Sequence, residues 1–111
     1  MAILQGSNNP LVIQFDADIS EIPQIVISLW CDAPKYFQKP LKVWTRDDIS
    51  ITADTAVCPL TEEETASFPR ADLVLEAKGL DDNDNTVFWS QYVIGVENRR
   101  DKIISMTQTE G

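Results

Sequence analysis

Hydrophobic and polar residues alternate with a period of two along most of the chain. In each apolar stretch every second side chain is hydrophobic, and many of the residues between them are polar. This alternation is typical of β-strands that turn one face to a core and the other to water, as in antiparallel sheets. Inward-facing strand positions are predicted at Leu11, Ile13 and Phe15; Ile25, Ile27, Leu29 and Cys31; Leu41, Val43 and Thr45; Ile49 and Ile51; and Leu73, Leu75 and Ala77.

One long and one short stretch also fit strands, and turn residues separate the strands from one another. The run from Thr86 to Val96 is rich in aromatic and β-branched residues, and a final short strand is predicted at Lys102–Met106. Asn, Asp, Gly and Pro dominate the segments between strands. About seven or eight short strands predict an all-β fold, an immunoglobulin-like antiparallel β-sandwich. We expect a single domain that covers residues 1–111.

A short helix is predicted within the segment PLTEEETASFP, residues 59–69. Thr61 and Glu64 have the spacing of a capping box, in which each side chain accepts a hydrogen bond from the other residue's backbone N–H. Pro69 disfavours helical geometry in the residue before it, so the helix is predicted near Thr61–Phe68. We expect the helix to pin one end of the sandwich through Leu60, Ala66 and Phe68.

The chain is strongly acidic, with 18 acidic and 9 basic residues and a formal net charge of −9. This charge repels phosphate groups, so neither nucleic acid nor an anionic membrane surface is expected as a partner. No stretch approaches the ~18 apolar residues that span a bilayer. The N-terminus has neither a basic start nor a long apolar run, so no secretory signal is predicted and synthesis in the cytoplasm is expected.

The sequence lacks the residues of common catalytic sites. It contains no histidine, which excludes Ser-His-Asp and Cys-His nucleophile systems and the commonest zinc ligand. Its four glycines, at positions 6, 79, 95 and 111, form neither a dinucleotide-binding motif nor a P-loop. The carboxylates cluster in turns and at the helix start, where they are solvated. We therefore expect no enzymatic activity and no cofactor.

Cys31 and Cys58 each lie in an apolar run that is predicted to be a strand. They have no CxxC spacing, and no histidine lies near them. Because cytoplasmic thiols are kept reduced, we expect two free cysteines that pack as small apolar side chains. A single cross-strand disulfide between them is the alternative.

The acidic turn DDNDN, residues 81–85, is the best candidate for a metal site. As an EF-hand loop it would need glycine at position 86 and glutamate at position 92, where Thr86 and Tyr92 stand instead. We therefore expect a polar hairpin tip that joins the strands containing Leu75 and Trp89. In the alternative, the turn binds calcium weakly through Asp81, Asp82 and Asp84.

The aromatic residues include the candidates for a contact surface. Trp30 and Trp89 lie in strongly apolar strands, so at least one of them is expected to be the central core aromatic. Trp44 shares a strand face with Lys42 and Arg46, which predicts partial exposure. Trp and Tyr are enriched at protein interfaces, and two further aromatic residues lie in a loop bounded by prolines. The predicted partner contacts are Tyr36, Phe37 and Trp44.

Two motifs and a hairpin occur in a distinctive order along the chain. A Gln-Gly turn precedes the first core strand, the segment LTEEETASF follows a mid-chain strand, and the acidic hairpin leads into the last long strand. This order resembles a group of small immunoglobulin-like proteins and modules of phages and prophages, related to the N-terminal domain of the upper baseplate protein family. At residues 69–71 the chain has Pro-Arg-Ala where that family has a glycine turn. The matching positions are Gln5, Gly6, Leu60, Thr61, Glu63, Thr65, Phe68 and the hairpin Asp81–Asn85.

The resemblance implies a non-enzymatic structural or assembly module that is located in the virion. Such a module would act in multiple copies through contacts with phage structural proteins or with itself. The position in the particle, whether tail, baseplate or head, is left open. A carbohydrate-binding module with an aromatic platform and a weak calcium site is the alternative, and it would bind glycans.

Overall fold

Eight strands and one short helix make up the part of the chain that the computed structural model describes, which is residues 2–31, 39–69 and 71–97. A 3-10 turn, Arg46–Asp48, follows the fourth strand. The predicted strand at Lys102–Met106 lies outside the described residues. The strands are β1 (Ala2–Leu4), β2 (Leu11–Gln14), β3 (Gln24–Cys31), β4 (Lys42–Thr45), β5 (Ser50–Thr52), β6 (Thr55–Cys58), β7 (Leu73–Leu80) and β8 (Thr86–Glu97), and the helix α1 is Glu62–Ser67.

The strands form two sheets, and the predicted all-β sandwich with one short helix is confirmed. The larger sheet has the order β1-β8-β7-β3-β4, and the smaller sheet has the order β2-β6-β5. One pairing differs from the expected antiparallel arrangement, because β1 runs parallel to β8. Parallel neighbours need a long connection between them, and here almost the whole domain separates β1 from β8.

The core lies between the sheets and is built by the alternation that the sequence shows. The expected inward faces of β2, β3 and β7 are confirmed, since alternate residues of each strand are buried. Together they form one hydrophobic cluster, which the helix segment and β6 complete. The bulkiest buried residues include Trp44, Ile25, Ile27, Leu29, Leu73, Leu75 and Ile94.

The strand β4 has the opposite orientation to the one predicted. Trp44 is only 1% exposed, whereas Val43 is 44% exposed, so the expected exposure of Trp44 is wrong. The Trp44 Nε1–H donates to the Pro59 carbonyl at 2.9 Å, which lets the indole fill the core with its polar atom paired. A predicted contact residue is therefore a core residue.

The two charged residues that share the Trp44 face have polar partners at the margin of the sandwich. The Lys42 ammonium pairs with the Glu64 carboxylate of α1. The Arg46 guanidinium donates to the carbonyls of Ile22 and Ser20, at 2.7 and 2.6 Å. Inward-pointing charges are a known protection for edge strands, and β4 is an edge of its sheet. The charged residues beside Trp44 therefore led to the wrong prediction of which face of β4 is buried.

Neither Trp30 nor Trp89 is the central core aromatic, contrary to expectation. Trp89 is 54% exposed, and Trp30 lies half-buried with its Nε1–H donating to the Ser28 hydroxyl at 2.8 Å. The inward face of β8 carries smaller rings instead. One of them, Phe88, packs edge-on against Phe15, with ring centroids 5.3 Å apart.

The helix α1 begins with the predicted capping box. The Glu64 N–H donates to the Thr61 hydroxyl at 3.1 Å, and the Thr61 N–H donates to the Glu64 carboxylate at 3.0 Å. Partial burial acts to raise the pKa of Glu64, but the Lys42 ammonium and these Thr61 hydrogen bonds outweigh burial and lower that pKa. The acidic run is therefore an architectural feature that starts a helix.

The flanks of α1 enter the core largely as predicted. Leu60 and Phe68 are buried, but Ala66 is exposed, so the expectation for Ala66 is wrong. The helix residue that enters the core is Thr65, which is fully buried. Its hydroxyl donates to the Ser7 carbonyl at 2.7 Å. This hydrogen bond ties α1 to the β1–β2 connection.

Cys31 and Cys58 are both buried and free, as predicted. They belong to different sheets, on β3 and β6 respectively. Burial raises the pKa of Cys58 to about 12, so this thiol stays protonated at neutral pH. The cysteines therefore act as small core residues.

Candidate interaction surface

The outward side of the larger sheet carries a group of large apolar side chains. Trp30, Val74 and Val93 lie directly opposite one another on β3, β7 and β8. Val93 is 70% exposed, the highest value among the exposed large hydrophobic residues of the described chain. Direct cross-strand neighbours are close enough for their side chains to touch, so these three residues form one apolar row.

A second row crosses the same sheet nearer the β7–β8 hairpin. Trp89 lies opposite Lys78, and Lys78 lies opposite Val26. Between the rows lie mostly polar residues and the exposed Val43. We call this surface the outer face, and its residues are Val26, Ser28, Trp30, Val43, Thr45, Val74, Glu76, Lys78, Trp89, Gln91 and Val93.

The outer face is compact and almost neutral. Four strands and three residue rows give it dimensions of roughly 14 Å by 14 Å. It carries one acidic residue, Glu76, and one basic residue, Lys78, although the whole chain has a net charge of −9. The general acidity of the protein therefore does not extend across this surface, which favours close contact with another protein.

Of the three predicted contact residues, the structure describes only Trp44. Tyr36 and Phe37 lie outside the described residues, and Trp44 is buried. The sequence did contain a signal for the outer face. Both alternating sets of β8 are apolar, with Phe88 and Ile94 on one face and Trp89 and Val93 on the other, which indicates a strand that has two apolar faces.

The acidic turn is the hairpin tip that was predicted, and its carboxylates hold the turn together. Asp81 accepts from the backbone N–H groups of Asn83 and Asn85, each at 2.9 Å. These hydrogen bonds, led by the one from Asn85, lower the pKa of Asp81. Asp84 accepts from the Gln24 side-chain amide at 2.7 Å.

The described part of the chain contains no cluster of His, Cys, Asp or Glu side chains that could bind a metal ion. Within residues 2–31, 39–69 and 71–97, no three His, Cys, Asp or Glu side chains are grouped to hold a metal ion. Asp81, Asp82 and Asp84, the candidate calcium ligands, are therefore not arranged as a coordination site. Their geometry is that of a hydrogen-bonded turn.

The segments that carry the family resemblance meet in space. The Gln5 side-chain amide donates to the Phe68 carbonyl at 2.8 Å. Gly6 has a φ of 79°, a left-handed conformation that glycine adopts without steric cost. Together with the bond from Thr65 to Ser7, these contacts join the Gln-Gly turn to the helix segment. The two motifs thus form one structural unit.

Comparisons with known proteins add no family or structural neighbour to these observations. No protein-family model matches the chain, and no curated protein and no solved structure shows significant similarity to it. None of the helices described in the structure has the length and apolar character needed to cross a membrane. The class of the protein, an all-β sandwich, therefore rests on its own fold.

Proposed function

We propose that the protein is a non-enzymatic structural or assembly module of a phage or prophage particle. In this proposal the outer face contacts a neighbouring structural protein of the particle. The observation that carries it is the apolar and nearly neutral outer face on a strongly acidic chain, with Trp89 54% and Val93 70% exposed. The phage assignment rests on the family resemblance in the motifs around Gln5 and Thr61.

The size of the outer face supports a role in a multi-copy assembly. Burying the exposed parts of Trp89 and Val93 stabilises a contact by about 1–2 kcal/mol each. Association of two proteins costs about 4–15 kcal/mol in lost translational and rotational freedom. A single outer-face contact is therefore weak, and repeated copies that bind together supply the missing affinity.

The composition of purified particles tests the proposal. We expect quantitative mass spectrometry of the phage or prophage that encodes this chain to find it in multiple copies per particle. The unassembled fraction of the same lysate is the control for co-purification, and the ratio of the chain to the major capsid protein is compared between the two. A chain that stays wholly in the unassembled fraction would refute the proposal.

Glycan binding is a second candidate, favoured by the exposed indole of Trp89. Polar side chains that could bond sugar hydroxyls, Gln91 and Lys78, lie beside it on the outer face. A glycan array probed with and without a calcium chelator tests this function. Binding that Trp89→Ala removes would support it, and the absence of binding in both conditions would exclude it.

A further inference from the structure

Among the described strands, most of one edge of β8 has no partner. One edge of β8 pairs with β7 along the strand. On the opposite edge, β1 pairs only with Gly95–Glu97. In the described part of the chain no strand pairs with the rest of this edge, Thr86–Ile94. β2 is the outermost strand of the smaller sheet in the same way, because it pairs with β6 alone among the described strands.

Two cavities lie side by side along β8, opposite β2 and the chain that follows β2, and together we call them the edge groove. One half of it is apolar and has a volume of about 260 Å³. Its walls come from β2 and from the second part of β8 and include Val12, Ile13, Tyr92 and Ile94. Aliphatic side chains of an added strand would find apolar partners here.

The other half of the edge groove is acidic at its rim and has a volume of about 290 Å³. Phe88 and Ser90 of β8 form one side, and the chain that follows β2 forms the other. The carboxylates of Asp16 and Asp18 lie at this rim and are exposed. Basic side chains would be attracted to this end.

The edge of β8 lacks most of the features that keep edge strands unpaired. Such edges usually carry charges, prolines or a covering segment. Residues Thr86–Val96 contain neither a charged residue nor a proline. The one register shift in the β7–β8 pairing lies at Gly79 and Leu80, close to the hairpin. Most of the open edge can therefore accept another strand.

The segment that follows β8 has the complementary chemistry. Residues 98–111 carry three basic and two acidic residues, whereas residues 1–97 carry six basic and sixteen acidic residues. In an extended strand, alternate side chains share a face. One such face would carry two basic residues followed by two apolar ones, which are Arg100, Lys102, Ile104 and Met106.

We infer that residues 100–106 of a second copy add to the open edge as a strand parallel to Phe88–Ile94. In this direction Arg100 and Lys102 reach the acidic half of the edge groove. Ile104 and Met106 then reach its apolar half. The lengths agree, because both segments span six residue steps, about 20 Å in extended conformation.

The added strand must come from a second copy, because a parallel strand cannot reach this position from the end of β8 in the same chain. Three residue steps, about 10 Å of extended chain, separate Glu97 from Arg100. Phe88 lies nine steps, about 30 Å, back along β8 from Glu97. A segment that starts at Glu97 therefore cannot place Arg100 beside Phe88 of its own chain. The contacts that carry this strand exchange lie in the edge groove, on the side of the sheet away from the outer face, so the inference stands or falls independently of the proposed function.

Sedimentation velocity of the full chain tests the inference. We expect reversible self-association that weakens as NaCl is raised, because the basic and acidic partners are screened. Ile104→Asp should raise the dissociation constant at least about tenfold, since it puts a charge into the apolar half of the edge groove. Ile103→Asp, which adds the same charge on the opposite face, should raise it less than about threefold.

Two outcomes of that experiment would overturn the inference. One is a wild-type chain that stays monomeric at every concentration up to about 1 mM. The other is an equal effect of Ile103→Asp and Ile104→Asp. Val43→Asp is measured alongside, and it should leave the dissociation constant unchanged because Val43 lies on β4, at the side of the outer face farthest from β8. If Val43→Asp alone abolished self-association, the outer face would be the interface between copies and strand exchange would be excluded.

Disulfide trapping tests the direction of the added strand. A copy with Ser90→Cys, mixed with a copy carrying Lys102→Cys, should form a covalent dimer on oxidation. The same Ser90→Cys copy mixed with Met106→Cys should form much less, because parallel pairing places Met106 about 13 Å from Ser90. Antiparallel pairing of the same segments would place Ser90 opposite Ile104, midway between Lys102 and Met106. Equal trapping through Lys102 and Met106, or preferential trapping through Met106, would therefore contradict the parallel arrangement.

Discussion

The close approach of Phe88 to Gly79 gives the most specific prediction about stability. These residues lie opposite each other on β8 and β7. A Cβ atom added at Gly79 would lie 2.5 Å from Cδ1 of the Phe88 ring and nearer still to Cε1. Ordinary carbon contacts are about 3.5–4.0 Å. Gly79→Ala therefore forces the ring to move by about 1 Å or more.

That movement has a cost that can be worked out from the contacts of Phe88. Overpacking costs about 1–3 kcal/mol, and loss of the edge-on pair with Phe15 adds about 0.5–1.5 kcal/mol. Alanine regains about 0.5–1 kcal/mol because glycine is unfavourable in a strand. We expect Gly79→Ala to lower the free energy of unfolding by about 1–3 kcal/mol in urea titrations followed by tryptophan fluorescence.

Gly95 provides a matched control for Gly79→Ala. It lies in β8, and a Cβ atom added there would meet nothing within 4 Å. Gly95→Ala should be neutral or stabilise the fold by up to about 1 kcal/mol. Phe88→Leu combined with Gly79→Ala should recover part of the loss, because the smaller side chain can move away. Equal losses for the two glycine variants, or no loss for Gly79→Ala, would refute the reasoning.

Three further predictions concern buried and turn residues. Thr65→Val should lower the free energy of unfolding by about 1–3 kcal/mol in the same titration, because the Ser7 carbonyl loses its donor; no loss would contradict this. Cys58 should resist thiol reagents at pH 8 in the native protein and react after unfolding, since its pKa is about 12; native labelling would contradict its burial. Asp81 has a lowered pKa in the folded state. The folding stability that its ionised carboxylate contributes is therefore fully present above the unfolded pKa of about 3.9 and is lost as pH falls through the folded pKa. The stability difference between wild type and Asp81→Asn should therefore shrink between pH 6 and pH 2 in thermal unfolding, and a constant difference would contradict it.

The sequence predicts those parts of the fold that depend on local rules. In β2, β3 and β7 a single alternating set of residues is hydrophobic, so the inward face is clear. The capping box of Thr61 and Glu64 is also local, because a span of four residues contains both hydrogen bonds. These features formed as predicted.

The sequence does not predict features that depend on distant partners. In β4, the flanking charges suggested that Trp44 faces water, but Lys42 and Arg46 find their partners on α1 and near β3. The parallel pairing of β1 with β8 joins strands at opposite ends of the described chain. Local patterns contain no information about such long-range contacts.

The candidate site was missed for a related reason. Both faces of β8 are apolar, so its alternation cannot tell which face packs in the core. Phe88 and Ile94 pack on the core side, which leaves Trp89 and Val93 on the outside. That outcome depends on how β8 pairs with β7. The outer face therefore becomes visible only when the sheet is assembled.

The incorporation of outer-face variants into particles tests the central claim most directly. Trp89→Asp and Ser50→Asp add the same charge, but Ser50 lies exposed on β5 of the other sheet. Both variants should retain the wild-type circular dichroism spectrum. In purified particles, mass spectrometry should find Ser50→Asp at the wild-type copy number and Trp89→Asp reduced by about tenfold or more. Equal incorporation of the two variants would contradict the claim that the outer face binds the particle.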